Sequence, residues 1–274
     1  MTSERIPAVL SIAGSDSGGG AGIQADLKAF ARVGVHGMTA ITAITAQNTV
    51  GVDAVEPVSG EMIYAQIAAV AEDIGVDAVK IGMVGNAEAI ESVVAALTAL
   101  LKNDPPVVID PVMVSESGSV LLDPGAREAL VGRLLPLASV VTPNIPEARA
   151  LTGMGEEATQ AELAQALVGM GAKAAVVTGG HSDEVVDVFY DGVDVVEIPG
   201  ERHPDGAAHG SGCTHSSSLA AYLALGWSPL AAAVGARELT SEAVRDGLRE
   251  IGTGAGPVDV FGLARSRNDA EVTR

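Results

Sequence analysis

Ala8-Val9-Leu10-Ser11-Ile12-Ala13 runs into Gly14-Ser15-Asp16-Ser17-Gly18-Gly19-Gly20-Ala21-Gly22 and then into an alanine-rich stretch ending at Val33. The first run is short, apolar and bounded by glycine, as a buried strand should be, and Ala21 to Val33 has helical spacing. Strand, tight loop and helix therefore follow in that order, and the same alternation continues outward. Further strands are expected at Met38 to Ala46, Ala78 to Ile81, Val107 to Ile109, Ser139 to Val141 and Ala174 to Thr178. The clearest later helices span Glu61 to Asp73, Ala87 to Leu101, Ala126 to Leu135 and Gln160 to Met170. Most connections are thus βαβ crossovers, which gives a mostly parallel sheet in a doubly wound α/β fold. Ligands of such sheets collect at the carboxyl ends of the strands.

Toward the C-terminal side, Val185 to Tyr190 and Val193 to Ile198 flank Asp191-Gly192, a hairpin signal, so the sheet should end in an antiparallel edge. Gly200 to His209 is polar and glycine-rich and reads as a mobile loop, placed to act as a lid, before a Ser- and Ala-rich helix beginning near Ser211. Arg265 to Arg274 is polar and aperiodic and reads as a frayed tail. Without repeats or a Ser/Pro linker, residues 1–274 are expected to form one domain.

The chain has 274 residues, 47% hydrophobic and 19% charged, which excludes disorder for its bulk. Its 16 Lys+Arg against 35 Asp+Glu give a formal charge of −19 and no basic patch, which argues against nucleic acid or anionic membrane as a partner. The early apolar run Pro7 to Ala13 carries no cleavage signature, and nowhere do about 18 uncharged apolar residues run together. A cytoplasmic protein is expected. The single cysteine, Cys213, is either an inert core thiol or a functional one.

Six segments carry possible chemistry. In the first loop, Gly20, Gly22 and Ala25 match a dinucleotide-binding pattern, but Thr45-Ala46-Gln47-Asn48 stands where the ribose-binding carboxylate belongs. That loop could equally line a small-molecule pocket or serve tight packing. The Gln47 amide suits a heterocycle edge, while Asp26 could accept from an exocyclic amine or be a solvated helix residue. Asp110-Pro111-Val112-Met113 puts a carboxylate at a strand's end, and Asn144-Ile145-Pro146-Glu147 spaces an amide and a carboxylate by one helical turn. Asp110 and Glu147 suit Mg²⁺, although Asn144 and Glu147 also have capping-box spacing. Thr178-Gly179-Gly180-His181 ends a strand and could lie under a nucleotide's phosphates; His209 reads as an exposed loop histidine.

The sharpest of these is Gly210-Ser211-Gly212-Cys213-Thr214 at a helix mouth. Glycines there expose successive amides, and the helix dipole adds about half a positive charge, which suits a transferring phosphoryl group. The same dipole should lower the Cys213 thiol and make it a general base.

Together with Ser11-Ile12-Ala13-Gly14-Ser15-Asp16, Gly18-Gly19-Gly20-Ala21-Gly22-Ile23-Gln24-Ala25-Asp26, Lys80-Ile81-Gly82-Met83 and Thr142-Pro143-Asn144-Ile145-Pro146-Glu147, these segments resemble the bifunctional hydroxymethylpyrimidine and phosphomethylpyrimidine kinases of thiamine biosynthesis. Those enzymes belong to the ribokinase-like superfamily, and the resemblance runs from about Val9 to Phe261. It implies a three-layer α/β/α sandwich and ATP- and Mg²⁺-dependent phosphorylation of 4-amino-5-hydroxymethyl-2-methylpyrimidine and then of its monophosphate. By position, Gln47, Gly14, Asp26, Thr45 and Met83 would bind the pyrimidine. Gly210, Ser211 and Gly212 would form the anion hole, and Cys213 would be the base. Asn144, Glu147, Thr178, Gly179 and Gly180 would serve the nucleotide, and Asp110 and Glu147 the metal. A homodimer is also implied. Three departures stand out. Thr178 replaces a usual lysine, Ser211 replaces the commoner threonine, and Gly256-Pro257-Val258-Asp259 lacks a histidine often found there. Pyridoxal kinase is the alternative within the superfamily, and a non-catalytic pyrimidine-binding protein the alternative outside enzymes.

Overall fold

The central strand β1 (Ala8–Asp16) is buried along almost its whole length. Its side chains divide between two apolar layers, with Ala8, Leu10 and Ile12 on one side and Val9 on the other. A strand covered on both faces needs no polar alternation, which is why it reads as a continuous apolar run. The computed structural model describes residues 5–113, 118, 121–123, 125–180, 185–204 and 206–265.

One sheet of nine strands has the order β3-β2-β1-β4-β5-β6-β7-β8-β9. Its members are β1, β2 (His36–Gln47), β3 (Val52–Pro57), β4 (Ala78–Ile81), β5 (Val107–Ile109), β6 (Val140–Val141), β7 (Ala175–Val177), β8 (Val186–Tyr190) and β9 (Val195–Pro199). Parallel pairing runs from β2 through β7. The strand order reverses at β1, which has β2 on one side and β4 on the other, and a crevice at such a switch point is where an open α/β sheet binds ligands.

Helices cover both faces. Helices α2 (Gly60–Asp73), α3 (Ala87–Leu100), α4 (Ala126–Ala129), α5 (Ile145–Thr152) and α6 (Gln160–Gly169) pack Ile63, Ile67, Ile90, Val93, Leu151 and Leu163 into the larger layer. Helices α1 (Gly22–Val33), α7 (Ser211–Ala224) and α8 (Pro229–Arg245) pack Phe30, Leu219, Ala220 and Ala236 into the other. The expected three-layer α/β/α sandwich is therefore present, and its small apolar side chains let helices and strands approach closely.

Three local expectations change. Both sheet edges are antiparallel, because β3 folds back on β2 in addition to the hairpin of β8 and β9. Strand β3 is exposed from Asp53 to Pro57 and so lacks the apolar alternation that announces a strand. The hairpin is joined by four residues, 191–194, since the Asp191 carboxylate accepts from the Val193 and Asp194 amides at 3.0 Å and holds a wider turn than a two-residue one. The helix expected over Ala126 to Leu135 is α-helical only through Ala129, then π-helical over Leu130–Leu134 and 3-10 over Leu135–Leu137. Pro136 has no amide to continue an α ladder there. Among the described residues no helix is long and apolar enough to cross a membrane. The tail beyond Arg265 lies outside the described residues.

Candidate active site

A cavity of about 850 Å³ opens at the carboxyl ends of the parallel strands. At one end stand Gly14, Thr45, Gln47 and Met83. A Cβ at Gly14 would lie 2.3 Å from Met83 Cε, so glycine is what lets the methionine close this wall. The Thr45 hydroxyl lies 2.8 Å from the Ser15 carbonyl and 3.2 Å from Gln47 Oε1, which orients the amide at the cavity edge.

Asp26 does not join them. It is fully buried behind the wall, where it accepts from Ser11 at 2.5 Å, Ser217 at 2.6 Å and Lys80 Nζ at 2.9 Å. The expectation that it binds an exocyclic amine is corrected, because the carboxylate is fully buried, does not line the cavity and is already engaged by three donors inside the protein. The wall residue is instead Lys80, a lysine with no solvent exposure whose ammonium is held well above its ordinary pKa: burial opposes the charge, but Asp26, Cys213 and Asp110 outweigh it. Lys80 could have been read from sequence. It sits inside Ala78-Val79-Lys80-Ile81, and a lysine within a doubly covered strand must be paired.

In the middle of the cavity, Gly210 adopts the left-handed conformation at φ 81°, and a Cβ there would meet the Gly20 carbonyl at 1.8 Å. The Ser211 amide turns back to the Ala208 carbonyl at 2.9 Å, so it is committed within the protein, contrary to the expected role of this amide in an anion hole. The Gly212 and Cys213 amides lie in the first turn of α7, where a helix supplies no acceptor. A Cβ on Gly212 would have nothing within 4 Å, which leaves an open cradle over those amides.

Cys213 lines the same cavity, but its thiol is pushed up to about 12. Burial is the largest cause, and Asp26 and Asp110 add to it. Lys80 and the Gly22 amide pull the other way. The lowering expected from the helix dipole is thus overturned by desolvation and two nearby carboxylates.

Asp110, just past β5, accepts from the Ser216 hydroxyl at 3.0 Å, and burial raises its pKa against the opposing pull of Lys80. Glu147 is raised to about 8, first by burial and then by Asp110. Asn144 and Glu147 do form the capping box of α5, with Asn144 Oδ1 accepting from the Glu147 amide at 2.8 Å and Glu147 Oε2 from the Asn144 amide at 2.9 Å. Both nevertheless face the cavity. Glu147 is thus a buried carboxylate whose proton is held on partly by the Asp110 carboxylate, and a pair of carboxylates facing one cavity is the oxygen donor chemistry a hard cation meets. No cluster of three or more His, Cys, Asp or Glu side chains suited to a metal occurs among the described residues. A cation here would share its coordination with water and a ligand's oxygens.

At the far end, Thr178 and Gly180 reach the cavity and Gly179 does not. The Gly179 amide donates to Asp187 at 2.9 Å, and a Cβ there would lie 2.1 Å from the Val186 carbonyl, so that glycine serves packing against β8. His181 lies outside the described residues. Cationic side chains absent from the sequence reading line this end, among them Arg237, with Nη1 3.5 Å from Asp187. Nor is His209 an idle exposed residue: its ring is 12% exposed and 3.2 Å from Asp16.

The profile of the family described as Phosphomethylpyrimidine kinase matches residues 16–259. This chain belongs to that family. Within the phosphomethylpyrimidine kinase family, the hydroxymethylpyrimidine/phosphomethylpyrimidine kinase of Rhizobium meliloti (strain 1021) is 50% identical over 258 residues, covering 92% of this chain and 96% of its own. The phosphomethylpyrimidine kinase of Clostridium difficile 630 superposes with a TM-score of 0.77 at 42% identity, covering 88% of this chain and all of that one. Bacillus subtilis pyridoxal kinase, solved as an ADP complex, gives a TM-score of 0.85 at 38% identity and covers 95% and 99% of the two chains. These relatives are phosphotransferases of ribokinase-like fold.

Proposed function

We propose that this chain is the ATP-dependent kinase of thiamine biosynthesis that phosphorylates the hydroxymethyl group of 4-amino-5-hydroxymethyl-2-methylpyrimidine and then the resulting monophosphate. The observation that carries this reading is the continuity of one cavity. Gln47 with Met83, the amides at Gly212 and Cys213, and Asp110 with Glu147 all open into it. Gln47 and the close-packed Gly14 and Met83 take the flat pyrimidine, with the hydroxymethyl oxygen toward Cys213. Gly212 and Cys213 N–H groups receive the negative charge of the phosphoryl group in flight, and Cys213 Sγ, once ionised to the thiolate, takes the alcohol's proton late in transfer. Such transfer needs mostly positioning and charge stabilisation. Asp110 and Glu147 would hold Mg²⁺, which when bound would offset the triphosphate's charge and the Asp110 share of the field that, after burial, holds the thiol up. Thr178, Gly180 and Arg237 bound the end that takes the nucleotide's phosphates, and Arg237 supplies positive charge where Thr178 carries none.

Gly210→Ala is expected to cut turnover roughly 10²-fold, because the added methyl must push the loop off the Gly20 carbonyl, while circular dichroism still reports a folded chain. Gly212→Ala meets no protein atom, so an equal loss of turnover without loss of stability reports on the space kept for the phosphoryl group. Wild-type rates from both variants would contradict the loop's role.

Pyridoxal is the second substrate to weigh, since a pyridoxal kinase superposes on this chain at a TM-score of 0.85. ADP release measured with each alcohol separates the two readings. The pyrimidine should support the faster turnover, and pyridoxal turned over well above it would reverse the assignment.

A further inference from the structure

A side-chain contact ties the loop that precedes the proposed anion hole to the first glycine loop. His209 Nε2 lies 3.2 Å from Asp16 Oδ2, in a pair whose side chains are 12% and 2% exposed. Asp16 is the last residue of β1, and its carboxylate gathers the loop that follows. Oδ1 accepts from the Gly18 amide at 2.8 Å, and Oδ2 accepts from the Gly20 and Ala21 amides at 3.0 and 2.8 Å. The His209 backbone is fixed from the other side: its amide donates to the Gly256 carbonyl at 3.3 Å and its carbonyl accepts from the Val258 amide at 3.1 Å. The fit between the loops leaves no room. A Cβ at Gly20 would lie 2.2 Å from His209 Cδ2, and one at Gly210 would lie 1.8 Å from the Gly20 carbonyl.

We propose that Asp16 and His209 are positioning residues, a buried strut that sets the phosphoryl-receiving turn at Gly210 to Cys213 at a fixed distance from the loop walling the alcohol's pocket. This rests on the kinase reading above. The physical reason is direct. Both loops are backbone structures without large side chains of their own, so their relative placement is decided where a side chain crosses between them, and His209 to Asp16 is such a crossing. An in-line transfer tolerates little displacement, and an error of about 1 Å can lower the rate by roughly 10²-fold. Asp16 and His209 line the same cavity, but the part assigned to them is to hold two loops at a set separation, so their loss should act chiefly through turnover and little through capture of the alcohol.

The test compares wild type, His209→Ala, His209→Gln and Asp16→Asn with the pyrimidine alcohol and, in parallel, with pyridoxal. A glutamine amide reaches about as far as the imidazole Nε2 and can donate to Asp16. The expected result is that His209→Ala lowers kcat by roughly 10- to 100-fold with KM for the alcohol within about 3-fold, that Asp16→Asn does the same, and that His209→Gln recovers most of kcat. A rise in KM with kcat unchanged, or a glutamine variant no better than alanine, overturns the strut. Should wild type turn over neither alcohol, the kinase reading fails by itself. The strut is then judged by hydrogen–deuterium exchange: His209→Ala must speed exchange in peptides covering both 18–22 and 210–214, and unchanged exchange in 18–22 overturns it.

Discussion

Cys213→Ala is expected to lower turnover of the pyrimidine alcohol by roughly 10²-fold or more while leaving its binding within a few-fold. The sulfur lines the cavity that also holds Gln47 and Gly212, and alanine keeps the Cβ while removing the sulfur, so what is lost is mainly the group that would accept the proton. Burial, with Asp26 and Asp110 adding to it, pushes this thiol up to about 12, so it is neutral at pH 7. Since thiolate is the nucleophile, iodoacetamide should modify it slowly at neutral pH, and faster as pH rises toward that value. Fully retained turnover in the alanine variant would take the sulfur out of the reaction. Fast alkylation at pH 7 would show that the buried carboxylates do not control it.

Lys80→Met is expected to destabilise the protein by about 3–5 kcal/mol, the range found when one partner of a buried ion pair is removed. Lys80 is fully buried, its Nζ is 2.9 Å from Asp26, and it also faces the field of Asp110. Methionine fills most of the same volume, so what is lost is charge. Urea unfolding monitored by circular dichroism reads the change directly. Replacing both members, Lys80→Met with Asp26→Leu, should recover part of that stability because Asp26 is then no longer left buried without its partner, whereas turnover should stay low because the field on Cys213 and Asp110 is altered. A cost below about 1 kcal/mol for Lys80→Met would mean that the pair behaves like a solvated one and does not organise the site.

The strand–loop–helix reading of residues 8–33 was legible because each step has a local cause: an apolar run buried on two faces, glycines in a loop, and a helix closed by Gly34 at φ 94°. The positions of Gly14, Gln47, Asp110, Glu147 and Cys213 around one cavity follow from the same rule, since each sits at or just beyond the carboxyl end of a parallel strand or at a helix start. What sequence did not yield is tertiary. Asp26 reads as a helix residue one turn beyond a glycine loop, and only packing of α1 against β4 and α7 brings it to Lys80 and Ser217. The sign of the Cys213 shift depends on Asp26 and Asp110, residues remote in the chain, so the local dipole predicts one direction and the assembled site gives the other. Strand β3 escaped because an exposed edge strand needs no apolar alternation.

Incubating the protein with 4-amino-5-hydroxymethyl-2-methylpyrimidine and Mg-ATP and taking a mass spectrum of the products tests the central claim most directly. Pyrimidine monophosphate should form first and diphosphate should follow, with ADP formed in step with them. A spectrum showing only the unreacted alcohol, with ADP no higher than without it, would contradict phosphoryl transfer in this cavity.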